Sequence, residues 1–95
     1  MVVATLKVEL IIHGAASLKE KRSVVKRVIS RVRSKFELSV AEVGSLDALQ
    51  RAEVGCAVVS NDARHANSVA DKALDFIESL NLCEIGRADI EIIHI

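Results

Sequence analysis

Tryptophan, tyrosine and proline are absent from this 95-residue sequence, and the aromatics reduce to Phe36 and Phe76. The core must therefore be built from Val, Ile, Leu and Ala. No strand offers an aromatic platform on which unpaired bases could stack, which disfavours single-stranded RNA reading on a sheet surface. Cysteine is almost missing as well. Cys56 and Cys83 are far apart, form no C-x-x-C pair and have no His cluster beside them, so reduced, isolated thiols are expected and no metal site. Long apolar runs are lacking. Met1–Ile12 is too short to span a bilayer and contains Lys7 and Glu9. It also has neither the basic start nor the small-residue cleavage site of a secretory signal, so the expectation is a cytoplasmic protein with no membrane contact. There is no G-x-S-x-G, no P-loop and no G-x-G-x-x-G. No catalytic constellation is visible, and neither enzyme activity nor a cofactor is expected.

What is present is charge asymmetry. The formal net charge is 0, yet Ser17–Lys35 holds eight basic residues against one acid, a local +7 that leaves −7 on the rest. At about 100° per residue this stretch is an amphipathic helix, Ser17–Phe36. Leu18, Val25, Ile29, Val32 and Phe36 share one narrow sector, with Val24 and Val28 beside it. Lys19, Arg22, Lys26 and Arg33 gather on one flank, Arg31 and Lys35 on the other, and Arg27 points outward. Ser17 and Glu20 have the spacing of a capping box. The β-branched valines are poor helix formers, so tertiary packing must hold the helix. An exposed cationic helix in a neutral molecule points to an anionic surface, most simply RNA phosphates.

With 51% hydrophobic and 27% charged residues the chain is globular, and its length fits a single domain over residues 1–95. Val2–Ile12 alternates as a half-buried strand. After the helix come strands at Glu37–Gly44 and Glu53–Ser60, joined by a connector, Ser45–Ala52, too long for a tight hairpin. Cys56-Ala57-Val58-Val59 is apolar on both faces, as in a central strand. Asn61 and Asp62 can cap a second helix over Ala63–Leu80, which Asn81 stops, and Glu84–Ile95 supplies a last strand. This β-α-β-β-α-β order predicts an α+β, ferredoxin-like sandwich: a four-stranded antiparallel sheet with both helices on one face. Ile11, Val40, Val59, Ile93 and Ile95 are expected on the other face, more aliphatic than a free surface usually is, so a homodimer through that face is expected.

His13, His65 and His94 are scattered, and only His13 and His65 could meet, if loops at one end of the sheet converged. The loop HGAASLKEKR does not match the Gly-rich, Arg-bearing loop of acylphosphatases, which share this architecture. A small-ligand site near Gly14 at a dimer interface is an alternative.

Three stretches are distinctive together: Ser17–Ser23 (SLKEKRS), Ala41–Gly44 (AEVG), and Gln50–Ala52 with Val58–Asp62 (VVSND). They resemble the YlxP-like family, small bacterial proteins of unassigned biochemical function. The resemblance implies a ferredoxin-like fold. Family genes often stand beside those for translation initiation factor two and ribosome-binding factor A, which implies a ribosome-linked role. Leu49 departs from a position where relatives often carry Trp. The expectation is a non-enzymatic accessory protein that binds ribosomal RNA or an assembly intermediate through Lys19, Lys21, Arg22, Lys26, Arg27, Arg31 and Arg33. The alternatives are a dimeric small-ligand module and a protein-binding adaptor. Glu42 and Arg51 are expected to form a structural ion pair.

Overall fold

Period-two alternation lays down the first strand. β1 (Val2–Ile11) turns Val2, Ala4, Leu6, Val8 and Leu10 into the interior and Val3, Thr5, Lys7, Glu9 and Ile11 away from it. The computed structural model describes residues 1–95. A turn through Gly14, whose φ of 79° suits a residue without Cβ, leads into α1 (Leu18–Lys35). Ser17 caps α1 by accepting from the Glu20 amide at 3.1 Å, and the Glu20 carboxylate reaches back to the Ala16 amide at 2.7 Å.

β2 (Ser39–Gly44) and β3 (Arg51–Ser60) follow, then α2 (Ala63–Ser79) and β4 (Glu84–His94). All pairings are antiparallel in the order β2-β3-β1-β4. With both helices on one side, this is the expected ferredoxin-like sandwich. The third strand begins at Arg51 rather than Glu53, because Ile11 pairs with Arg51 and carries the ladder further. Asp62 caps α2 by accepting from the Arg64 amide, and Asn81, at φ 52°, takes the left-handed turn that ends it. No helix is long and apolar enough to cross a membrane.

Alanines Ala66, Ala70 and Ala73 bring α2 close against β1 and β3, with Ile77 completing its buried stripe. The stripe of α1 is Lys21, Val25, Val28 and Val32. Phe36 and Phe76 meet edge to face at 5.6 Å, joining the two helices at one end.

The open sheet face is ordered in rows. Val59, Val3 and Ile93 lie side by side across three strands, then Ala57, Thr5 and Glu91, then Gly55, Lys7 and Asp89. Ser39 and Ala41 extend the second and third rows onto β2. Ile11, Val59, Ile93 and Ile95 lie on this side as expected. Val40 does not: it is only 4% exposed and belongs to the core beneath the helices.

Candidate nucleic-acid interface

Helical spacing places most of the predicted cations outward. Lys19, Arg22, Lys26, Arg27, Arg31 and Arg33 are all exposed, and none lies within ion-pairing distance of a carboxylate. From Lys19 to Arg33 they span roughly 21 Å at about 1.5 Å per residue. Arg33 is partly engaged, donating from Nη2 to the Val40 carbonyl at 3.0 Å. Lys35 closes the row with Nζ 4.9 Å above the Phe76 ring.

Lys21 departs from this set. Its side chain is fully buried, with Nζ 2.6 Å from the Ser45 carbonyl, 3.3 Å from that of Leu46 and 3.1 Å from Glu42 Oε2. The Glu42 oxygen makes no well-directed hydrogen bond, so its contact with the ammonium is one of charge. Lys21 therefore ties α1 to β2 and holds the β2–β3 loop, where Ser45 adopts φ 57°. It cannot reach a ligand.

The expected Glu42–Arg51 pair is not formed. Glu42 turns toward the helices, while Arg51 sits on the open face and meets Glu9 at 3.2 Å. His13 and His65 do not converge either. His13 follows the Ile11 end of β1 and contacts Glu84, while His65 lies just beyond the Ser60 end of β3. No group of three or more His, Cys, Asp or Glu side chains is placed to hold a metal ion.

Between α1 and the edge strand β2 runs a groove of about 690 Å³, lined by Lys26, Ile29, Ser30, Arg33, Ser34, Ala41 and Glu42. Charge counting passes over Ser30 and Ser34, but both follow Lys26 at four-residue steps, and that spacing puts their hydroxyls on the cationic flank. Ser34 Oγ already donates to the Arg31 carbonyl at 3.0 Å, which leaves the Ser30 hydroxyl beside the Lys26 ammonium and Arg33 guanidinium as the donor set for phosphate oxygens. A larger concavity, about 820 Å³, lies on the opposite side of the sheet, away from these cations.

Burial pushes the Cys56 thiol up to about 11 and raises Cys83 as well. Above pH 9 an unfolded chain releases the Cys56 proton while the folded one keeps it, so stability falls as pH rises from about 9 to 11. Cys56→Ser should flatten that part of the urea midpoint–pH curve; an unchanged slope would show that Cys56 contributes nothing to it.

A family model described as a protein of unknown function, DUF503, matches residues 3–90. The chain belongs to the DUF503 family. It is 44% identical over 71 residues to the uncharacterized protein YlxP of Bacillus subtilis (strain 168), a match covering 75% of this chain and 77% of the relative. The resemblance carried by the sequence motifs is thereby established. Solved structures show the same fold at low identity. A cofactor-independent oxygenase, SnoaB from Streptomyces nogalater, aligns at TM-score 0.52 and 13% identity, covering 100% of this chain and 94% of the other. Protein YJCS aligns at 0.52 and 10%, covering 94% and 96%. A dimeric ferredoxin-like protein from an uncultured marine organism aligns at 0.50 and 9%, covering 100% and 98%. At such identities the likeness concerns the fold alone.

Proposed function

We propose that this DUF503 protein is a non-enzymatic accessory factor that docks on the phosphate backbone of a folded RNA, in the ribosome-linked setting its family resemblance implies. The observation that carries the reading is the outer face of α1: six exposed cations, none neutralised by a carboxylate of the same chain. The groove beside Lys26 and Arg33 gives the backbone a track. Affinity built on phosphates is salt-dependent, with the logarithmic slope changing by about 0.7–0.9 per contact.

Ribosome-profile fractionation of the tagged protein across a salt titration tests this. Arg22→Glu, Lys26→Glu and Arg31→Glu together should abolish co-sedimentation at physiological salt and leave the circular dichroism unchanged. Arg31 is preferred to Arg33 because the latter supports Val40. Undiminished co-sedimentation of the triple variant rules this surface out.

A second reading is a dimeric small-ligand module. The 820 Å³ concavity on the open face favours it, and the dimeric fold neighbour fits it. A thermal-shift screen with amino acids and nucleotides separates the two, since a stabilising ligand that displaces no RNA belongs to the second.

A further inference from the structure

Four of the seven large apolar side chains that stand exposed share one side of this molecule, the others being Met1 and, in the β2–β3 loop, Leu46 and Leu49. Val59 is 64% exposed, Val43 54% and Ile93 41%, all on the open sheet face; Ile95, 75% exposed, continues the alternation of β4. Helices cover the opposite face, so water meets this one directly.

The relief of the face is self-complementary. The row Val59–Val3–Ile93 stands up as an aliphatic ridge. Beside it the floor drops, because Ala57, Thr5, Gly55, Ala41 and Ser39 are small, and the 820 Å³ concavity over them is walled on its β1–β4 side by the charged side chains of Lys7, Arg87, Asp89 and Glu91. Gly55 in particular cannot be enlarged without touching Val43: an added Cβ would lie 3.0 Å from its Cγ1. A ridge beside a trough of similar length is what a two-fold axis needs to seat each ridge in the other copy's trough.

Charge agrees with this arrangement in part. Lys7, Glu53 and Glu91 lie on the same face and have no ion-pair partner within the chain. Across a two-fold axis each copy's Lys7 can meet one of the other copy's two glutamates, which leaves one carboxylate per chain unmatched. The size is adequate too. Strands of 10, 6, 10 and 11 residues, at about 3.3 Å per residue and about 4.8 Å apart, give a flat footprint on the order of 600 Å². Side-chain relief enlarges that toward the roughly 800 Å² per partner of a standard interface.

We infer that the open face is the seat of a second copy of this chain, joined sheet to sheet with the Val59–Val3–Ile93 ridge of each in the small-residue trough of the other. The inference does not rest on the RNA reading. In such a pair the α1 helices lie on opposite outer surfaces and both remain free.

Sedimentation equilibrium of the full chain, from 1 to 100 µM, tests it. The expected result is a species of twice the 10.3 kDa chain mass. Val59→Asp and, separately, Ile93→Lys should raise the dissociation constant at least tenfold, with the monomer still folded. Leu46→Lys, an exposed apolar site on the β2–β3 loop, should leave it unchanged. The inference is overturned by a wild-type chain that stays at 10.3 kDa throughout, by a dimer that survives both ridge variants, or by a dimer that Leu46→Lys dissolves. The wild-type measurement decides even if a ridge variant fails to fold.

Discussion

Lys21→Ala is expected to cost about 3–5 kcal/mol of folding stability, the range for breaking one partner out of a buried ion pair. Two carbonyls, Ser45 and Leu46, lose their donor, and the Glu42 carboxylate loses its counter-charge. The Glu42 side chain is only 17% exposed, so its charge would be stranded away from water. For a domain of this size each kcal/mol shifts the midpoint of melting by about 4–8 °C, so a fall of well over 10 °C is expected. Urea denaturation followed by circular dichroism measures it. Lys26→Ala, four exposed methylenes and an ammonium in solvent, should stay within about 0.5 kcal/mol. The companion double variant is informative. Lys21→Met with Glu42→Leu removes both charges and keeps the volume, and should recover the part of the loss that comes from the stranded carboxylate, while the Ser45 and Leu46 carbonyls remain without their donor. A Lys21→Ala loss no larger than that of Lys26→Ala would mean that the ammonium is solvated and the loop is held by something else.

The same ion pair explains where the amino-acid sequence was hard to read. Lys21, Val25, Val28 and Val32 follow one another at steps of four, three and four, which is the pattern of a buried stripe. A lysine at its head looks like a flank cation, because charge normally marks the solvent side. Glu42 has the mirror-image effect on β2. Leu38, Val40 and Glu42 share one face and Ser39, Ala41 and Val43 the other. A glutamate on the first set makes the outward assignment natural, and it carried Val40 to the wrong side of the sheet. Each charge hides the other, and only the packing of α1 on β2 brings them together. By contrast the strand and helix order, both N-caps, the turn at Gly14 and the stop at Asn81 follow from local rules and were legible. Six of the seven expected RNA-facing cations stand where helical periodicity puts them, since exposed flanks depend only on local geometry. The groove beside β2 was invisible for the opposite reason: Ser30 and Ser34 acquire meaning only once Ala41 and Glu42 close its far wall.

Adjacent valines on β3 give the sharpest test of which side of the sheet is dry. Val58 is 8% exposed and Val59 64%, although the local sequence is apolar at both. Val58→Asp places a carboxylate opposite Ala4, under the helices and among aliphatic neighbours with no cation to receive it. Burying an unpaired charge is one of the few mechanisms that exceeds about 4 kcal/mol, so this variant should be largely unfolded without denaturant. Val59→Asp faces water in the isolated chain and should cost about 1 kcal/mol, the span of strand propensity. Both are compared by denaturation at submicromolar protein, where association contributes nothing to stability. A concentration series then adds a second dimension. If the open face seats another copy, the wild type gains stability as concentration rises, whereas Val59→Asp stays flat. Equal losses for the two aspartates at low concentration would mean that the exposed row is covered within a single chain. The ridge would then be part of the core, and no surface would remain on it for a partner.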